Sequence, residues 1–242
     1  GSHADDVAGK NAAVARRLLF RWNNLEQAVS SLWSDIVQPA SGRQALLARN
    51  VTEMVSLAQF VGIGPHADWP RAVAVYDFAR WVKAHRLANA YLLLRLDDDP
   101  ELRLIEAKTE FAYQHSFELG SHGPDLHKQL PITGFDLVVL GQTLEHLYDP
   151  LLALMNLYDA MAPGGHIFIN APLTNVPHMT PIHFYHFTLM GLGVLAIQAG
   201  FDVLEAGQWG SREYEAMLFS AGPLQSKPWP GRARLRNLKG DA

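Results

Sequence analysis

The chain has 242 residues of which 48% are hydrophobic, enough for one substantial core or for one core plus a small helical appendage. A net charge of −4 gives no electrostatic basis for a nucleic-acid partner, and the absence of cysteine excludes disulfides and thiolate metal sites. No apolar run reaches the ~18 residues of a membrane span, so no membrane is expected and a reducing, cytoplasmic setting is compatible.

Gly1-Ser2-His3 reads as the scar of a cleaved expression tag. From Asn11 to Phe60 the pattern is helical, with Val14, Leu18, Leu19, Trp22, Leu25, Val29, Leu32, Trp33 and Ile36 recurring at three- and four-residue spacing. Pro39-Ala40-Ser41-Gly42 breaks it, and a second helix resumes from Gln44. These helices either pack on the core, the preferred reading, or offer a lid or a homodimer surface. Gly62 to Pro70 reads as a loop.

The middle of the chain admits two strand registers. In the first, preferred, Ala72-Val73-Ala74-Val75-Tyr76-Asp77 is strand one, Trp81 to Leu96 is a helix, and Leu102 to Glu106 is strand two. In the second, Leu102 to Glu106 is strand one and Tyr113 to Glu118 is strand two, but only about a dozen residues then separate the two terminal acids, short for a parallel crossover.

The stretch Phe135 to Pro172 is the most informative. Leu137 to Leu140 is an apolar run suited to a buried parallel strand. Asp149-Pro150 then opens an amphipathic helix carrying Leu151, Leu152, Leu154, Met155, Leu157, Tyr158 and Met161. Pro163-Gly164-Gly165 ends it, and Ile167-Phe168-Ile169 makes the next strand, completing a parallel βαβ unit. A helix and the entry Gly200-Phe201-Asp202-Val203 follow. Asp202 to Leu204 and Glu215 to Phe219 read as a final antiparallel edge, with a turn and an exposed Trp209 between them, and the Pro-, Arg- and Lys-rich last ~20 residues read as a loosely ordered tail.

These residues carry a resemblance. F-D-L-V-V, L-E-H-L-Y-D-P and A-P-G-G-H-I-F-I-N-A-P, followed by H-F-Y-H-F-T (His183 to Thr188) and A-G-F-D-V, resemble in type and order the fourth-strand to sixth-strand region of class I S-adenosylmethionine-dependent methyltransferases, over Phe135 to Ala221. The resemblance implies an α/β fold: a Rossmann-like, mostly parallel sheet with helices on both faces, in a domain spanning 69–222. A helical extension would precede it at 1–68 and a tail would follow at 223–242. It also implies S-adenosylmethionine as cofactor and a small-molecule or saccharide-type acceptor.

Upstream the pattern departs from the family. Its glycine-rich first turn lets backbone approach the cofactor, yet no glycine occurs between Gly64 and Gly120. In the preferred register Phe78, Arg80 and Trp81 would fill that turn, narrowing the cofactor cleft. Asp77 would replace the acid before it, and Glu106 would accept hydrogen bonds from the ribose hydroxyls; in the other register Glu118 has that role. Gln142, Thr143 and Leu144, after strand four, match positions that line the adenine and methionine side. Their plainer reading is a strand-to-helix connection with Thr143 as an N-cap.

The richest polar cluster is Asn175, His178, His183, Tyr185 and His186, in the loop that faces the acceptor in the family. Methyl transfer is an in-line displacement needing alignment and sometimes a base. His183 or His186 would supply the base and Tyr185 would orient the acceptor; packing over the sheet edge is the structural alternative. The histidine spacing matches no standard metal-ligand pattern, so no metal is expected. The missing glycines motivate a second hypothesis, a degenerate methyltransferase fold kept as a binding or scaffold module.

Overall fold

Four parallel strands organise the described part of the chain. The computed structural model describes residues 25–34, 51–63, 69–87, 92–96, 100–106, 108–113, 125–174 and 183–207. The strands are β1 (Leu92–Leu96), β2 (Thr109–Tyr113), β3 (Phe135–Gly141) and β4 (Met161–Asn170), in the spatial order β2-β1-β3-β4. Every neighbouring pair is parallel. The helices are α1 (Val51–Phe60), α2 (Trp69–His85), α3 (Pro150–Ala160) and α4 (Leu189–Ala199), with short 3-10 turns at Pro100–Leu104 and Leu144–His146. The protein is an α/β protein.

β3 is the strand around which the rest packs. Leu137 and Val139 point to Phe78, Trp81 and Val82 of α2, while Val138 and Leu140 point to Leu154 and Leu157 of α3, with Leu192 and Leu195 of α4 packed against the same cluster. Burial on both faces accounts for the unbroken apolar run, which an alternating half-exposed strand would not show. Each fully buried leucine contributes on the order of 1.5–3 kcal/mol.

The helix ends follow from local chemistry. Asp149 accepts a hydrogen bond from the Leu152 N–H at 3.0 Å and Pro150 occupies the first turn of α3, so Asp-Pro acts as cap and start together. Thr188 caps α4 through its hydroxyl and the Gly191 N–H. At the other end Gly200 has φ of +112°, and the N–H groups of Gly200 and Phe201 return to the carbonyls of Ile197 and Ala196. That paired closure is the left-handed helix stop that glycine favours, and it aims Phe201 at Tyr158, 5.3 Å between ring centroids.

Both expected registers upstream are corrected. Residues 72–77 belong to the long helix α2, because the buried positions Ala72, Val73, Val75, Tyr76, Phe78 and Val82 follow a helical face once the whole 69–85 window is considered. Phe78 and Trp81 therefore pack between α2 and the sheet, against Phe168 at 4.7 and 5.7 Å, and fill no cofactor turn. Strand one is Leu92–Leu96, inside the stretch expected to be helical, and strand two is Thr109–Tyr113. The connection between them is short because a 3-10 turn, not an α-helix, makes the crossover. Trp69 and Pro70 are helical rather than loop, and Asp202 to Leu204 form no strand. Glu215 to Phe219, Trp209 and the tail lie outside the described residues.

That 3-10 turn is bolted to the preceding helices. Arg103 donates to the Val61 carbonyl at 2.9 Å, and Arg71 of α2 meets the fully buried Glu101 carboxylate at 3.2 Å. A buried carboxylate without such a partner is strongly destabilising. Met54 and Ala58 of α1 pack on Ala72, Val73 and Tyr76 of α2, and Leu32 of the helical segment 25–34 lies against Gly193 of α4.

The turn Pro163-Gly164-Gly165 lies inside an irregular start of β4, where the register jumps from Phe135–Met161 to Leu137–His166. A Cβ at Gly165 would stand 2.7 Å from the Phe135 carbonyl oxygen and 3.0 Å from that of Ala162, both backbone. Gly165→Ala is expected to lower stability by about 1–3 kcal/mol in denaturant titration. Gly193→Ala should be near neutral: its Cβ would meet only the rotatable end of Leu32, at 2.5 Å, and alanine suits a helix interior.

His166 sits beside Trp81 and His85, ring centroids 5.9 and 5.5 Å away, and His85 Nε2 lies 3.2 Å from Glu205 Oε1. Burial, and then the charge of His85, hold the His166 imidazole below its ordinary value of 6.5. Below that pH the unfolded chain takes up a proton that the native ring resists, so stability should fall as pH drops from 6.5 and level off beneath the depressed native value. Thermal denaturation of His166→Phe against the parent should show a flatter pH dependence in that window.

Candidate functional site

In open parallel sheets ligands lie outside the carboxyl ends of the strands, at the point where the strand order reverses. Here the chain steps outward from β1 to β2, returns to β3 on the other side of β1, and continues to β4, so the reversal falls between β1 and β3. Gly141 ends β3 and Gln142 follows it with φ of +52°. A left-handed non-glycine residue costs on the order of 1–3 kcal/mol and is held by its surroundings. The Gln142 N–H donates to the Asn170 carbonyl at 2.7 Å, and its side-chain amide lies 3.4 Å from Asn170 Oδ1. The ends of β3 and β4 thus present two paired carboxamides on the β4 side of β3, with Gln142 bordering the reversal point.

The next residues divide their roles. Thr143 donates its hydroxyl to the Gly141 carbonyl at 3.1 Å and makes no side-chain cap on the following turn. Leu144 is fully buried in the core beside α3, so its side chain lines no ligand surface. Glu145 and His146 are also buried, and the Glu145 carbonyl accepts the N–H groups of Phe184 at 2.7 Å and Tyr185 at 3.3 Å. The Phe187 N–H bonds to the Pro172 carbonyl at 2.9 Å. These bonds fold the 183–187 segment back onto the carboxyl end of β3.

His146, His183 and His186 stand edge to face in sequence, 5.5 and then 4.7 Å between centroids. His183 Nε2 lies 2.9 Å from the Tyr185 carbonyl, which can only accept, so Nε2 carries the proton; its Nδ1 is buried. His186 is exposed. Of the three rings it is the most exposed. The Tyr185 hydroxyl donates to the Tyr148 carbonyl at 3.0 Å.

A second constellation adjoins this one. His127 stacks on Tyr148 at 3.7 Å and 13°. The Asp149 N–H donates to His127 Nε2 at 3.3 Å, so Nδ1 bears the proton and donates to Asp125 Oδ1 at 2.8 Å. Both His127 nitrogens are thereby engaged, which makes this ring a brace. Burial works against ionisation of Asp125, but the His127 backbone N–H, the His127 ring and Lys128 outweigh it and hold the carboxyl below its ordinary value.

Asp77 and Glu106 do not sit at the strand ends where the expected register put them. Asp77 is half-buried in the middle of α2. Glu106 is exposed and precedes β2, at the amino end of the strands, across the sheet from the reversal point. Both displacements follow from the register correction. Asn175, His178, Glu118 and the residues directly after β1 lie outside the described residues. Asn170 and Tyr148 were missed by sequence reasoning. The signal available for Asn170 was its position as the first polar residue after Ile167-Phe168-Ile169; Tyr148 had none beyond its place beside Asp149-Pro150. Among the described residues no group of three or more His, Asp or Glu could hold a metal ion, and no helix is long and apolar enough to cross a membrane.

An α/β sheet with its polar cluster at a strand-order reversal is the architecture of a ligand-binding domain. A family model described as a methyltransferase domain matches residues 66–206, more than half of the chain, and the chain belongs to the class I S-adenosylmethionine-dependent methyltransferase family. No curated protein matches it.

If the left-handed turn is kept for a ligand and not for stability, Gln142→Gly should relieve it. The expected result is a gain of about 1 kcal/mol in denaturant titration, accompanied by weaker binding of any ligand that the carboxamide contacts.

Proposed function

We propose that the protein is an active S-adenosylmethionine-dependent methyltransferase acting on a small-molecule or saccharide-type acceptor. The observation that carries the reading is Gln142, held in left-handed backbone at the carboxyl end of β3, beside the strand-order reversal of a Rossmann-like sheet, and paired on the β4 side with Asn170. Strained backbone is concentrated at binding and catalytic sites, which supports a kept site here. The cofactor offers adenine, ribose hydroxyls, an ammonium and a carboxylate, and carboxamides can donate and accept to such groups. Gln142 and Asn170 would hold it on the β3 side. After β1, where the family has glycines, the sequence reads Asp97-Asp98-Asp99-Pro100. Carboxylates there would complement the ammonium and the ribose rather than wrap the cofactor by close backbone approach.

The methyl group and its thioether leaving group come with S-adenosylmethionine when it is bound. The protein's own part is alignment and proton removal. His183, fixed through Tyr185 and packed against buried His146, would orient His186. His186 would take the proton from the acceptor's nucleophile as the new bond forms and pass it to water. Tyr185, already bonded to Tyr148, would shape the acceptor side. The competing reading, a fold kept as a scaffold without cofactor, draws on the missing glycines, and the helices before α2 would then be its partner or homodimer surface.

Calorimetric titration with S-adenosylhomocysteine separates the two. Micromolar binding is expected, weakened about fivefold to tenfold by Gln142→Ala, the worth of one amide hydrogen bond, and unchanged by Glu106→Ala at the opposite strand ends. No binding at millimolar ligand would reject the enzyme and leave the scaffold reading.

A further inference from the structure

We infer that Tyr148 is a carbohydrate-stacking platform, so that the acceptor is a neutral sugar ring laid on its open face. This inference rests on the methyltransferase reading for its role in catalysis, but the platform itself rests on geometry alone.

Tyr148 is 59% exposed, yet it is not loosely held. One face of its ring is covered by His127 in near-parallel stacking. His127 is locked at both nitrogens, by the Asp149 N–H and by Asp125, and the Tyr148 backbone is tied to Tyr185. The remaining face is open to solvent. An aromatic face held rigid before any ligand arrives avoids the ordering cost that a mobile side chain would incur on binding.

The surroundings select the kind of ring. Phe184 and Tyr185 are also exposed, at 45% and 41%, and extend the apolar surface. The rim carries the Asp125 carboxylate, with Lys128 Nζ 3.6 Å from it, and the Asp149 carboxylate that caps α3, so two anions stand against one cation. A pyranose has an apolar C–H face to cover the ring and a belt of hydroxyls to donate to those carboxylates. A phosphorylated or nucleic-acid ligand would meet like charge, on a chain whose net charge is already −4. A purely aromatic acceptor would cover the ring but offer nothing to the acceptor positions that Asp125 and Asp149 keep beyond their bonds to His127, Lys128 and Leu152. The hydroxyl-rich ring satisfies both. Continuity with the proposed base follows from the Glu145 carbonyl, which holds Phe184 and Tyr185 against the same turn that precedes Tyr148.

The test is saturation-transfer difference NMR on the full chain with S-adenosylhomocysteine present. The methyl glycosides of glucose, galactose, mannose and rhamnose are the probes, and catechol is the planar aromatic control. Transfer to the ring C–H protons of at least one glycoside is expected, falling about tenfold in Tyr148→Ala and substantially in His127→Ala, which removes the brace but keeps the ring. Calorimetry with S-adenosylhomocysteine should give the same affinity for Tyr148→Ala as for the parent. Transfer that survives Tyr148→Ala, a response from catechol alone, or no response from any glycoside would overturn the inference. Loss of S-adenosylhomocysteine binding in Tyr148→Ala would also overturn it, by assigning the ring to adenine. Glycoside transfer in a protein that binds no S-adenosylhomocysteine would leave the platform standing and reject the methyltransferase reading instead.

Discussion

Burial of β3 on both faces is the constraint from which the rest of the described structure follows. A strand with helices on either side must be apolar at consecutive positions, and Leu137 to Leu140 are. β3 ends at Gly141, where burial eases after Leu140. Immediately beyond, Gln142 takes a backbone conformation that glycine would adopt at no cost. Its N–H bond to the Asn170 carbonyl is the point at which core packing becomes site geometry.

The site is assembled largely through backbone atoms. The Glu145 carbonyl gathers Phe184 and Tyr185, the Pro172 carbonyl gathers Phe187, and the Tyr148 carbonyl gathers the Tyr185 hydroxyl. Side chains such as His186 and the face of Tyr148 are therefore left available on a frame whose positions do not depend on them. Rigid support beneath exposed functional groups is what precise alignment requires. The other end of the sheet is built differently: Trp81, His85, His166 and Phe168 pack ring on ring there. That end holds the fold together.

The described residues from Phe135 to Phe201 were legible because their helix boundaries carry their own local chemistry: Asp149-Pro150 to start α3, Thr188 to start α4, Gly200 to stop it. Upstream such punctuation is lacking. Ala72-Val73-Ala74-Val75 alternates like a strand over four residues, and only the full length of α2 discloses the helical face. Leu92 to Leu96 is a short leucine-rich segment, interrupted by Arg95, that periodicity alone cannot assign to helix or strand. A crossover made by one 3-10 turn also falls below the usual length, so neither register included it. Asp77 and Glu106 were misplaced for that reason alone. The cluster of His183, Tyr185 and His186 was legible as a group, but its division of labour was not. Which nitrogen bears a proton, and which ring is exposed, depends on carbonyls brought near by folding.

The central claim is that the ligand site lies at the carboxyl ends of β1 and β3. Amide hydrogen exchange measured by mass spectrometry, with and without saturating S-adenosylhomocysteine, tests it most directly. The account predicts slowed exchange in peptides covering 92–100 and 140–147, and no change in those covering 83–87 and 104–108 at the opposite ends of the strands. Protection confined to the 83–87 and 104–108 peptides, with 140–147 exchanging as before, would contradict it.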